Sequence, residues 1–345
     1  TLVQIWERLL NEHPIGVTQS FFDLGGHSLL AARLFAEIHP RFEKVFPLTT
    51  IFEDPSIRHL ADVIVSQKDG TDWPVLVRMQ PKGRKLPLFL VHPFGGDVIG
   101  FKRWSEHLGP DQPFYGLRAR GLDGIQEPLG SIEEMATVYI SEIRKVQPHG
   151  PYRIGGFCIG GVVAFEMAQQ LVRQGEMVDL LAIINQPPPN SDYYHFKLSR
   201  KNLSAFFDNL PEWSRDFFQL RWEEMWLRIS ITVTALKTWL GFKIRPQDRK
   251  IPPTGVSARA IRTRAARIPE YQRETITNYE LFFNKALDKY YPKPYPGKIT
   301  LFRTPRQPLF CSFDDSLCWS PLAGGGLEIR SVPGSNTTLT TDPHA

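Results

Sequence analysis

Cysteine is scarce in this chain: three among 345 residues, Cys158, Cys311 and Cys318. Three cannot build a disulfide framework, and neither a CxxC pair nor a His/Cys cluster offers zinc ligands. No metal site is expected. The chain has no apolar run long enough to cross a bilayer and no signal peptide, so no membrane association is expected. Charge of one sign is also in short supply. The 41 Lys and Arg stand against 36 Asp and Glu, a net charge of +5, and no basic run is interleaved with aromatics. Nucleic acid is therefore not an expected partner. A reducing, cytoplasmic setting is expected. The chain opens at Thr1 without Met, directly in a helical pattern, and reads as a piece of a longer polypeptide. Its 42% apolar and 22% charged residues are those of an ordinary globular protein, with room for a small domain and a full-sized one.

What is present centres on Tyr152 to Leu171, YRIGGFCIGGVVAFEMAQQL. It reads as a short buried strand, a turn and a helix. The turn, Gly156-Phe157-Cys158-Ile159-Gly160, has the spacing of the G-x-S-x-G nucleophile elbow with cysteine in place of serine. Side chains two positions either side of a residue on so sharp a bend would clash, hence the glycines. The bend lifts the Cys158 sulfur clear of the sheet at a helix N-terminus, where the dipole favours a thiolate. A glycine-rich turn holding an inert cysteine is the plainer alternative.

The first 68 residues read differently. Leu2, Ile5, Trp6, Leu9 and Leu10 share one helical face. Asp23 precedes a Gly-Gly turn, and Ser28 opens a helix with Leu29, Leu30, Leu34, Phe35 and Ile38 at a period near 3.6. Pro47 to Phe52 reads as a connector, and Ser56 or Asp54 as the cap of a last helix. Taken alone, Ser28 reads as an N-cap.

Residues 69–87 read as a linker with one strand-like run, Val75 to Met79. Leu88 to Val91 suits a buried parallel strand ending in His92-Pro93-Phe94-Gly95-Gly96, a turn able to aim backbone N–H groups at an oxyanion. Phe94 and Ile159 are the candidate donors. Ser131 to Val146 reads as a helix. Val178 to Ile184, Gly297 to Phe302 and Leu327 to Val332 read as strands. Alternating strands and helices around an elbow are the order of an α/β-hydrolase. Residues 187–296 form an insertion with apolar helices at Leu203–Leu210, Trp213–Trp226 and Ile229–Leu240, then a basic stretch from Lys243 to Arg267. Following a strand end at the catalytic edge, it reads as a lid, and its Trp-rich content suits an apolar substrate tunnel.

DLGGHSLLAARL, with Ile5-Trp6 before it and Phe52 to Ile57 after it, resembles the attachment motif of peptidyl carrier domains of nonribosomal peptide synthetases. Asp23 and His27 match the family beside Ser28. From Leu86 onward, HPFGG, GGFCIGGVVAFEMAQQL, the strand before Pro187-Pro188-Pro189, and GGLEIRSVPG resemble the type I thioesterase domain that closes such synthetases. The resemblance implies a small all-α four-helix carrier bundle (1–68), followed by an α/β-hydrolase thioesterase domain (88–345) with a helical lid. It implies 4′-phosphopantetheine on Ser28, placed there by a phosphopantetheinyl transferase, and upstream synthetase domains of the same polypeptide. The substrate implied is a peptidyl thioester, transferred to Cys158 and released by hydrolysis or by cyclisation. The family's last helix normally continues beyond Ala345, so truncation is expected.

Three positions depart from that family. Cys158 stands for serine, Asn185 for the acid, and Asn336 for the histidine. A thiol ionises near about 8.5 and lower at a helix N-terminus, so a base is less necessary than for serine. Asn336 cannot accept a proton at neutral pH. Three explanations stay open. Another imidazole serves, His92 first, with His195 and His344 behind it; or the thiolate acts without a base and the substrate's own amine attacks; or the domain is a degenerate, catalytically impaired module that docks the carrier. Cysteine thioesterases of this family are associated with closure of strained lactones and lactams. Intramolecular release is therefore expected over hydrolysis.

Overall fold

Alternation along short strands sets the two faces of one sheet. In the computed structural model the described residues are 1–42, 46–66, 73–194, 270–305, 312 and 314–333, with scattered positions between 204 and 233. The strands are β1 (Leu76–Gln80), β2 (Leu88–Val91), β3 (Phe114–Leu117), β4 (Tyr152–Phe157), β5 (Val178–Ile184), β6 (Ile299–Arg303) and β7 (Leu327–Ser331). They form one sheet in the order β1-β3-β2-β4-β5-β6-β7. β1 runs antiparallel to β3, and every other pairing is parallel. Phe89 and Val91 of β2 enter one core, and Leu90 between them enters the core on the opposite face. The same period of two separates Tyr115 and Leu117 from Phe114.

The larger core is closed by α6 (Ile132–Arg144), α7 (Gly160–Arg173) and α8 (Glu270–Lys289); the smaller one holds Phe101 from α5 (Phe101–His107). Ser131 caps α6 by accepting from the Glu134 amide at 3.1 Å. α8 ends against α7. The Tyr290 hydroxyl donates to buried Glu166 at 2.8 Å, and Arg173 pairs with the same carboxylate at 2.8 Å. The expected helices at Leu203–Leu210, Trp213–Trp226 and Ile229–Leu240 lie largely outside the described residues, and the basic stretch from Lys243 to Arg267 lies wholly outside them.

The described residues among the first 66 form the helices α1 (Leu2–Leu10), α2 (Ser28–Phe42), α3 (Thr50–Glu53) and α4 (Ile57–Ser66). They share their own core, in which Trp6 meets Phe21 edge-on at 5.0 Å. Ser56 caps α4 by accepting from the His59 amide at 3.2 Å. The expected connector from Pro47 to Phe52 contains the one-turn helix α3, which is too short to leave a period in the sequence. β3, α5 and α8 were not anticipated either. β3 is four residues long and holds Gly116, while among the described residues α8 buries Tyr279, Phe283, Ala286 and Leu287 together with the charged Glu280, which breaks the apolar pattern.

Candidate active site

In chain order the sheet runs from β2 outward to β3, then returns to lay β4 on the other side of β2. The carboxyl ends of β2 and β4 therefore flank a topological switch point, where open α/β sheets place their sites. Val91 pairs with Gly156 across these strands, so Phe94 and Ile159, each three residues further on, stand at the same edge. This placement suits amide donors either side of a carbonyl on Cys158.

Cys158 occupies the bend between β4 and α7 with φ +52°, the left-handed region that costs a non-glycine residue energy. The strain is held by backbone bonds. The Cys158 amide donates to Ile184 O at 2.9 Å, and the Gly161 amide donates to Cys158 O at 2.9 Å. A Cβ on Gly156 would lie 2.1 Å from Gly160 C, and one on Gly160 would lie 2.3 Å from His92 O. Glycine at both places is thus a condition of the bend. Cys158 is half-buried and packs against both cores. Trp104 meets Phe157 edge-on at 5.5 Å beside it. Cys318, by contrast, is pushed up to about 11 by burial and by the charges of Asp314 and Asp192.

Asn185 ends β5, is buried, and also has a left-handed backbone (φ +52°), a conformation asparagine tolerates. Its Oδ1 accepts from the Thr304 amide at 3.1 Å and from the Thr304 hydroxyl at 3.2 Å. Its own amide donates to Phe302 O at 2.7 Å. Thr304 was not singled out in the sequence, because only the β5–β6 pairing brings it here. Beyond β7, Val332 packs in the same cluster as Cys158 and Ile184. Asn336, four residues on, lies outside the described residues, as do His195 and His344.

His92, the first candidate base, has a fully buried ring with both nitrogens engaged. Nδ1–H donates to Pro93 O at 2.9 Å. Nε2 accepts from the Tyr139 hydroxyl at 2.9 Å and faces the Tyr279 hydroxyl at 3.3 Å. Phe283 closes the cage edge-on at 5.9 Å. Burial lowers its pKa to about 4 against the raising effect of the Pro93 bond, so the ring is neutral. These contacts fasten the β2 loop to α6 and α8.

Ser28 begins α2 immediately after a tight loop. The Gly26 amide donates to Phe21 O at 2.8 Å, and a Cβ on Gly26 would lie 2.3 Å from the Phe21 ring. Gly25 has φ +87°, and Asp23, Gly25 and His27 are exposed. An exposed loop opening a helix N-terminus fits a phosphodiester on Ser28. Among the described residues no group of three or more His, Cys, Asp or Glu could hold a metal ion, and no helix is long and apolar enough to cross a membrane.

Comparison with known proteins assigns a family to each part of the chain. The thioesterase domain family matches residues 86–344, and the phosphopantetheine attachment site family matches residues 1–64. Malpibaldin synthetase of Mortierella alpina is 36% identical over 217 residues, covering 62% of this chain and 4% of that protein. The dimodular nonribosomal peptide synthase of Bacillus subtilis (strain 168) is 37% identical over 187 residues, covering 54% of this chain and 8% of that protein. The inactive atromentin synthetase invA4 of Paxillus involutus is 32% identical over 253 residues, covering 67% and 27%. The chain thus spans a small part of the length of these relatives. Among solved structures, the four-domain nonribosomal peptide synthetase holo-AB3403, bound to AMP and glycine, matches with a TM-score of 0.57 at 24% identity, covering 99% of this chain and 24% of that one. The NocB thioesterase domain in covalent complex with a fluorophosphonate nocardicin G analogue matches with a TM-score of 0.50 at 21% identity, covering 79% and 94%. These two show the shared fold. With 4′-phosphopantetheine borne on a serine of its attachment domain, the chain belongs to the thioesterase domain family, in the carrier–thioesterase arrangement of nonribosomal peptide synthetase-like proteins.

Proposed function

We propose that this chain releases a carrier-bound peptidyl thioester through an acyl-cysteine on Cys158, and that release proceeds by intramolecular attack in preference to hydrolysis. Ser28 is the attachment point, loaded by a phosphopantetheinyl transferase, and upstream synthetase domains of a longer polypeptide supply the peptide. The pantetheine thiol, when present, supplies the thioester linkage and the reach of a swinging arm. The insertion at 187–296 acts as the lid. The observation that carries this reading is Cys158 itself: a half-buried thiol on a left-handed bend at a helix N-terminus, on the carboxyl edge of the sheet.

The Cys158 thiolate attacks the thioester carbonyl. The amides of Phe94 and Ile159 receive the developing oxyanion. The attack forms the Cys158 S–C bond; collapse breaks the carrier C–S bond and expels a thiolate that takes a proton from solvent. An amine within the peptide then attacks the acyl-cysteine. Its proton passes to solvent and Cys158 leaves as thiolate, ready for the next turn. Hydrolysis needs a base to activate water. The acid position is the neutral Asn185, and His92 is held by Tyr139 and Pro93. An internal amine brings its own lone pair at high effective concentration and needs no such help.

A second reading, a degenerate domain that seats the carrier without chemistry, is favoured by the same two observations. Mass spectrometry on the chain loaded with a peptidyl pantetheine separates the two. Transfer of the acyl mass to the Cys158 peptide and a cyclic product support release by cyclisation. A linear acid as sole product rejects cyclisation, and no transfer leaves the docking module.

A further inference from the structure

Arg118 is fully buried, and it gathers the linker and the first domain onto the second. It follows Leu117, the last residue of β3. Its backbone amide donates to Val75 O at 2.8 Å. Its guanidinium donates to Pro74 O at 2.5 Å and lies 5.0 Å from the Trp73 ring centroid. The remaining arm donates to Thr49 Oγ1 at 2.9 Å, just before α3 in the carrier. One side chain therefore holds consecutive linker residues and reaches across 69 positions of sequence to the carrier. Two observations extend this contact. Phe52 of α3 packs against the core holding Val77 and Met79 of β1. Phe22, stacked on Phe52 at 5.5 Å, lies beneath the Lys102 ammonium of α5 at 5.6 Å.

Phe22 belongs to the loop that leads to Ser28. The face of the carrier that meets the second domain is thus the face beside its attachment loop. A buried guanidinium is costly without partners, and here its two terminal nitrogens donate to one carrier and one linker acceptor beside an aromatic face. Undocking would remove the Thr49 acceptor and expose Phe52.

We propose that Arg118 and Lys102 form a latch that seats this chain's own carrier domain on the β1/α5 edge of the thioesterase domain. It rests on the reading of Ser28 as the point from which Cys158 is loaded.

The test is the rotational correlation time of isoleucine methyl groups in the full holo chain, measured by NMR. Ile5, Ile51 and Ile64 report on the carrier, and Ile154 and Ile183 on the sheet. In the unaltered chain both sets are expected to tumble as one body. Thr49→Val keeps the side-chain shape and removes the acceptor, and Lys102→Glu reverses the charge over Phe22. Each is expected to shorten the carrier correlation time severalfold with the sheet unchanged. Lys102→Glu decides alone if Thr49→Val fails to fold. A carrier that already tumbles freely in the unaltered chain overturns the latch, as does one that stays coupled in the variants. Product release is scored separately. A docked carrier without release rejects the catalytic reading and leaves the latch standing; a free carrier with release does the reverse.

Discussion

The Asn185 side-chain oxygen accepts two hydrogen bonds from one residue, the amide of Thr304 at 3.1 Å and its hydroxyl at 3.2 Å. An oxygen with two donors aimed at it is a good seat for a carboxylate, so the position has the surroundings of an acid while holding a neutral amide. It joins the ends of β5 and β6 at the edge where Cys158 stands.

Asn185→Ala removes the acceptor from two buried donors and is expected to cost about 1–3 kcal/mol, read from the denaturant midpoint. Asn185→Asp keeps the acceptor and is expected to stay near the unaltered stability at pH 7. A loss in the aspartate variant equal to that of alanine would remove the acceptor role assigned to this oxygen.

His92 provides a pH signature. Its folded pKa is lowered to about 4 by burial, while the unfolded imidazole titrates near about 6.5. The unfolded chain therefore binds the extra proton first. The contribution is complete above pH about 6.5 and is lost as pH falls toward 4, on the order of 3 kcal/mol in all. His92→Asn is expected to show a shallower loss of thermal stability between pH 7 and pH 4.5. Parallel curves for the two proteins would refute the assignment.

Gly160→Ala places a methyl group 2.3 Å from a backbone oxygen of the neighbouring strand end, with nothing flexible to give way. A loss above about 4 kcal/mol or failure to fold is expected, in the range reserved for forced backbone clashes. Gly25→Ala meets no atom within 4 Å and bears only the strain of φ +87°. About 1–2 kcal/mol is expected there, so the two variants separate crowding from backbone strain.

Alkylation at neutral pH is expected to mark Cys158 well before Cys318, whose thiol is pushed up to about 11. Peptide mapping after brief iodoacetamide treatment reads the order. Cys158→Ser is expected to lower acyl transfer by at least about 100-fold, because a hydroxyl needs the base that a thiolate does not. Equal transfer by serine and cysteine would mean that an imidazole outside the described residues serves Cys158.

Short-range sterics made part of this legible from residues alone. The elbow could be read because Gly156 and Gly160 must stand two positions either side of Cys158, and the structure shows what a Cβ would strike there. The strands β2, β4 and β5 could be read because each is an apolar run in a two-face-covered sheet. β3 could not, since Gly116 interrupts its apolar run, and α3 could not, since one turn is too short to carry a helical period. The surroundings of His92 were not legible for a different reason. Sequence places it next to a strand end, but whether its nitrogens are free depends on Tyr139 and Tyr279, 47 and 187 positions away.

From the residue order come two domains, a serine at the head of a helix and a cysteine on a strained bend, because each is a local pattern that needs no distant partner. Tertiary structure alone decided that His92 is occupied, that Asn185 faces Thr304, and that Arg118 reaches Thr49. Each of those contacts joins segments far apart in the chain, and only the packing of the sheet brings their polar atoms within hydrogen-bond distance.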